Sequence, residues 1–273
     1  MRKVNYNAAT KAIAANSTTV FSLADVPGNK VVAYHFSMSG AGGIVGGTGL
    51  TRIRVKNNGQ ALWDIATSHL ECFIERMSRS NFALTDGTSV RFTLPFYRVD
   101  LPDGAEALAD QWQFPRNGNP TIELVFGAAG SGAVEIGYTQ TDVDGVMVPL
   151  FYGSQMNIAL SSTNGFFPFG KGDEELWGFG INTTGLNRLQ LVVNGEDIIK
   201  TDAQSANGSL IRELQQLQNG ATNVNPIFMK TQGGLFPRPG ESNVYIDTGA
   251  TWAGASNELS LYTTKPQGAR GVA

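Results

Sequence analysis

The chain has 273 residues, of which 41% are hydrophobic and 16% charged, and its formal charge is −3. Ample hydrophobicity excludes a disordered bulk, and a charged share well below the roughly 25% of average domains leaves a surface of Ser, Thr, Asn and Gly. The small negative charge excludes nucleic-acid binding through a globally basic surface, and no run reaches the roughly 20 apolar residues of a membrane-crossing helix.

In chain order, residues 1–17 come first, with Arg2, Lys3 and Lys11 preceding the first acid, Asp25. The segment lacks a continuous apolar stretch, so no secretory signal is expected. Its sizeable apolar residues are Val4, Tyr6 and Ile13. That is too little for stable membrane insertion, and the pattern predicts a flexible basic arm that meets something anionic through its charge. Strand candidates follow at 18–23 and 30–38. The Gly-rich stretch 39–49 lacks Gly-Lys-Ser/Thr and leads into a strand, LTRIRV, where a phosphate loop needs a helix. It reads as a loop. Residues 48–59, TGLTRIRVKNNG, end in Asn58-Gly59, a strong hairpin signal between apolar alternations. A helix is expected next, with Leu70, Phe73, Ile74 and Met77 at helical spacing and Ser68 with Glu71 as a capping box. A strand at 90–96, a long loop at 98–119, and two alternating strands within 121–139 joined by a Gly-rich turn complete the first half. TDVDGVMVP, 141–149, is the natural linker, short enough that the halves should pack as one rigid body.

The second half repeats the first. Residues 184–195 read TGLNRLQLVVNG, in ungapped register with 48–59 at an offset of 136. Six of the twelve positions are identical, among them Arg52/Arg188, Asn58/Asn194 and Gly59/Gly195. A helix signal follows again, at Leu210, Leu214 and Leu217. Strands are expected at 156–160, 175–181, 225–229 and, at an offset of 122 from 121–139, within 243–263. Tandem duplication with roughly eight short strands per half predicts an all-β chain of two tandem eight-stranded jelly rolls, each with a short inserted helix. The expected divisions are an N-terminal arm at 1–17, a first roll at 18–145, a second roll at 146–264 and a C-terminal tail at 265–273.

Little in the chain suggests catalysis. Two histidines, His35 and His69, both in the first half, cannot build the several-His site of a two-barrel oxygenase. His35 lies in a strand alternation and His69 in the expected helix. Cys72, alone, forms no intrachain disulfide or zinc site and reads as a small buried hydrophobe. There is no Gly-x-Ser-x-Gly elbow, and the adjacent Glu174 and Glu175 would point to opposite faces of a strand. Phe92, Phe96, Trp112, Trp177 and Phe228 fall in strand patterns and read as core. Asp142 and Asp144 imitate part of a calcium loop, but Gln140 and Phe151 stand where an EF-hand needs its first and last ligands. They leave a looser, solvent-side contact with structural calcium as the one candidate cofactor. No enzyme activity is expected.

The duplicated units, the motif Leu-x-Arg-Ile/Leu-x-Val/Leu-x-x-Asn-Gly at 50–59 and 186–195, and the strand VRFTLPFYRVDLPDG at 90–104 carry a resemblance. The chain resembles the double jelly-roll major capsid proteins of icosahedral viruses with an internal membrane, of the corticovirus and autolykivirus type within the tectivirus–adenovirus lineage. The second roll departs from the pattern, reading NPIFMKTQGGLFPRPG where a Leu-Pro-Phe strand would stand. The resemblance implies a bacteriophage-type virion protein whose homotrimer forms a pseudo-hexagonal capsomer and tiles an icosahedral shell. Its implied partners are itself, neighbouring capsomers, minor capsid and vertex proteins, and the inner viral membrane through Arg2, Lys3 and Lys11. No specific nucleic acid is implied, and assembly would take place in the host cytoplasm. The alternative is a two-jelly-roll glycan-binding or glycan-amidase protein.

Overall fold

The computed structural model divides into two compact units, Met1–Pro149 and Leu150–Ala273. It describes residues 3–22, 24–27, 30–40, 49–67, 83–86, 89–95, 112–113, 118–142 and 146–147 of the first unit. In the second it describes the strands given below. Both expected helices and most of the 98–119 loop lie outside the described residues.

The first unit contains β1 (Lys3–Ile13), β2 (Thr18–Ser22), β3 (Val31–Ser39), β4 (Leu50–Asn57), β5 (Gln60–Ala66), β6 (Ala83–Asp86) and β7 (Ser89–Pro95). It continues with β8 (Trp112–Gln113), β9 (Pro120–Phe126), β10 (Gly132–Gln140) and β11 (Val146–Met147). One sheet has the order β1-β10-β3-β7-β6 and the other β2-β9-β4-β5, with β8 and β11 forming a separate parallel pair. Chain neighbours β1 and β2, β3 and β4, and β9 and β10 therefore lie in opposite sheets. This is the jelly-roll arrangement. The Gly-rich turn after β9 crosses between sheets and is no hairpin. It is tied down by backbone bonds from Asn16 N to Gly127 O at 2.9 Å and from Gly127 N to Gly49 O at 2.7 Å.

Alternation sets the core. Pro120, Ile122, Leu124 and Phe126 of β9 point inward, with more exposed residues between them. In β3 the inward set is Val32, Tyr34, Phe36 and Met38, and in β4 it includes Ile53 and Val55, all essentially inaccessible to water. Phe36 stacks on Phe92 with centroids 4.8 Å apart.

The N-terminal segment differs from expectation. Instead of a free arm, Lys3–Ile13 is an edge strand, antiparallel to β10 from Lys3↔Gln140 to Ile13↔Gly132. A bulge between Asn5 and Ala9 interrupts the ladder. Its residues are mostly exposed, so backbone pairing rather than burial orders it. That is why no apolar period announced it.

The second unit contains β12 (Tyr152–Asn157), β13 (Asn164–Pro168), β14 (Glu175–Thr183), β15 (Arg188–Val193) and β16 (Glu196–Thr201). It ends with β17 (Asn225–Lys230), β18 (Phe236–Pro237), β19 (Ser242–Asp247) and β20 (Glu258–Thr264). Its sheets have the orders β12-β20-β14-β17, with β18 on β14, and β13-β19-β15-β16. β12 begins before the expected 156–160 strand and ends at Asn157. The strand order repeats that of the first unit, element for element, apart from the short extra strands.

The register repeats too. Ile53 faces Leu124 and Leu189 faces Ile246; Arg52 faces Val125 and Arg188 faces Asp247. These pairs keep the sequence offsets of 136 and 122. The hairpins agree as well, Asn57↔Gln60 beside Val193↔Glu196, each with a bulge at the same place, after Val55 and after Leu191. In the first hairpin Asn58 and Gly59 have φ of 49° and 82°. Positive φ at both central residues is the type I′ turn that matches strand twist. Asn194 and Gly195 lie outside the described residues, between partners in the equivalent register.

Candidate functional site

The chemistry-bearing side chains of the first unit gather in three places. The first is the outward face of the sheet containing β4. Because strand side chains alternate, Ile53 and Val55 enter the core while Arg52, Arg54 and Lys56 share the opposite face. Arg54 lies directly across from Asp64 in β5 and Glu123 in β9. Arg52 Nε donates to Asp64 Oδ1, and Arg54 Nε reaches the same oxygen at 3.3 Å. Lys56 Nζ meets Glu123 Oε2 at 2.8 Å, with Arg54 Nη1 3.8 Å from it. Positive and negative groups thus alternate across three strands. Arg52 is 6% exposed, so its charge draws on Asp64 rather than on water. At the equivalent register positions of the second unit, Gln190, Val192, Lys200 and Tyr245 replace Arg54, Lys56, Asp64 and Glu123. The two copies share this register and differ in residue type at these positions.

The second place is the edge where β1 turns into β2. Lys11 Nζ donates to the Val20 carbonyl and to Asp25 Oδ2, each at 2.7 Å. The same carboxylate oxygen accepts from Ser22 N at 2.8 Å and Ser22 Oγ at 3.0 Å. Burial alone would raise the Asp25 pKa, but the bonds from Lys11 and Ser22 outweigh it and the net shift is downward. Lys11 also lies 5.2 Å from the Phe21 ring centroid. Of the three basic residues expected to face a membrane, Lys11 is therefore engaged within the fold. Lys3 is exposed on β1, and Arg2 lies outside the described residues.

The third is His35, on the outward side of β3. Its Nδ1 is 2.9 Å from Thr93 Oγ1 and its Nε2 2.7 Å from Thr139 Oγ1. The Tyr6 ring covers it at 5.6 Å. Both ring nitrogens have partners, so this is a satisfied sheet histidine. Burial lowers its pKa below the ordinary 6.5. A folded pKa below the unfolded one means that the unfolded chain binds the proton first. The contribution of neutral His35 to stability is therefore complete above pH 6.5 and shrinks as pH falls below it, until the folded pKa is passed. The melting temperature of His35→Gln should vary less than that of the parent just below pH 6.5. An identical pH profile would contradict the assignment.

Among the described residues no group of three or more His, Cys, Asp and Glu could hold a metal ion. At the Asp142 turn the Lys30 ammonium donates to the Asp142 carbonyl at 3.1 Å. Asp144, His69, Cys72 and Glu174 lie outside the described residues. The residues that sequence reasoning passed over are Asp25, Arg54, Lys56, Asp64 and Glu123. Alternation of three bases along β4 was the available signal for a face that needs counter-charges.

No family model matches the sequence, and no curated protein matches it. Solved structures do. The fold is similar to that of the major capsid protein of bacteriophage PM2, with a TM-score of 0.67 and 10% identity over 97% of both chains. A chain of the Sulfolobus Turreted Icosahedral Virus matches with a TM-score of 0.65 and 13% identity, over 97% of this chain and 91% of that one. VP54 of PBCV-1 matches with a TM-score of 0.50 and 9% identity, over 97% and 93%. The chain has the double jelly-roll fold of these virus shell proteins along nearly its whole length.

Proposed function

We propose that this protein is the major capsid protein of an icosahedral virus. One observation carries the reading: two jelly rolls stand in repeated register, and solved shell proteins superpose on 97% of the chain. A chain of two similar rolls that forms a homotrimer presents six of them, which lets a threefold object meet approximately sixfold neighbours. Its partners are then copies of itself, with minor and vertex proteins at the shell's special positions. The protein works by contact rather than by catalysis, in virions assembled in the host cytoplasm. The glycan-active alternative is not favoured by any of these matches.

The membrane role narrows. With Lys11 paired, Arg2 and Lys3 carry the attraction to an internal anionic bilayer, at about 1 kcal/mol each. Three chains per capsomer multiply this modest pull through avidity.

The test is direct. Purified protein should size as a trimer of 29.1 kDa chains and show a hexagonal outline in negative stain. A stable monomer that forms no capsomer in any salt condition would overturn the reading.

A further inference from the structure

The Asn-Gly tip of the β4–β5 hairpin has a reactivity that shell building does not use. Asn58 and Gly59 are exposed, so water reaches both. The Asn58 carboxamide is nonetheless held in place. Its Oδ1 accepts from Asn119 N–H at 2.9 Å. Gly118, with φ of +86°, lies against the amide, and a Cβ there would fall 2.7 Å from Nδ2 and 2.8 Å from Oδ1 of Asn58. The positive φ favours glycine at that position, and the Asn57 amide oxygen crowds the same space. The amide thus rests on bare backbone, with one edge hydrogen-bonded.

We propose that Asn58 is a site of spontaneous deamidation, closed in the folded hairpin and opened when β4 and β5 part. The Gly59 backbone nitrogen, after losing its proton to hydroxide, bonds to Asn58 Cγ. The Cγ–Nδ2 bond breaks, and Nδ2 leaves as ammonia after taking a proton from water. One water then opens the five-membered imide at either carbonyl, leaving aspartate or isoaspartate at position 58. No oxidant, reductant or enzyme is needed. Gly59 has no side chain to shield its nitrogen, which makes the attack easy in an open chain. In the folded turn the amide must first leave Gly118 and give up the Asn119 bond.

The two products have opposite consequences. Aspartate keeps an acceptor for Asn119 N–H, and Asp-Gly suits a type I′ turn. Isoaspartate routes the main chain through the β-carbon and lengthens a two-residue turn. Asn57 then no longer sits opposite Gln60, and the hairpin register is lost.

The experiment incubates the full chain in mildly alkaline buffer at body temperature, folded and in urea. Peptide mapping by mass spectrometry and an isoaspartate-specific methyltransferase follow position 58. Conversion is expected in urea and at least roughly tenfold slower in the folded protein, because local opening limits it. Gly59→Ala should slow the reaction in urea, and Asn58→Asp should keep the melting temperature of the parent. Equal rates folded and unfolded would overturn the lock. Absence of conversion in urea would overturn the site. A large loss of stability in Asn58→Asp would overturn the assignment of aspartate as the tolerated product.

Discussion

Replacing Asp64 with alanine is expected to destabilise the first unit by about 3 kcal/mol, the lower end for removing one partner of a buried pair. Arg52 is 6% exposed and donates to Asp64, which also faces Arg54. Without the carboxylate, two guanidinium groups share one face with less counter-charge, and one of them has almost no water around it. The Asp64 side chain is 20% exposed, which admits some screening and keeps the value from the upper end of the range. Asp64→Asn should fall between, since it keeps an acceptor and loses the charge. The informative variant is Arg52→Leu combined with Asp64→Leu. Removing both charges relieves the desolvation that each imposes, so the double variant should be more stable than Asp64→Ala alone. Urea midpoints of the two single Leu variants and the double one complete the cycle. Additive effects would show that the two charges are not coupled.

Phe36→Ala is expected to remove about 3–5 kcal/mol, the range for a large aromatic deleted from a core. Phe36 is 2% exposed and its ring stacks on Phe92 with an interplanar angle of 19°. Its strand β3 is paired on both sides, by β10 and β7, so the backbone cannot collapse inward to fill the space. Phe36→Leu keeps most of the volume and should lose about 1 kcal/mol or somewhat more. A melting temperature for Phe36→Ala close to that of the parent would mean that the inner face of β3 is not core.

Much of the fold was legible because duplication writes the same rule twice. Arg52 with Arg188, and Gly59 with Gly195, fixed the equivalence of two hairpins before any pairing was seen. β9, with every second residue apolar, announced a half-buried strand. β1 announced nothing, since its position at a sheet edge asks no periodicity of its side chains. The same holds for β6, β8 and β11, which are too short to carry a period. The charged face was half legible. Arg52, Arg54 and Lys56 stand in one strand at alternate positions, but Glu123 is far along the chain and gains its meaning only when β9 pairs with β4. The Lys11–Asp25 pair likewise depends on a chain reversal that places β1 beside β2. Long-range topology, not residue type, made these groups partners.

The pairing of β1 with β10 also sets a timetable. Lys3 waits for Gln140, and Ile13 for Gly132, so β1 leaves the ribosome well before the strand it pairs with. At roughly 5–20 residues per second, the interval is on the order of ten seconds. For that time β1 must remain extended without recruiting the wrong neighbour, and its run of Asn, Thr, Ala and Lys residues gives little for another chain to collapse upon. The second unit repeats the delay, with β12 waiting for β20. Contacts this distant in sequence make folding slow.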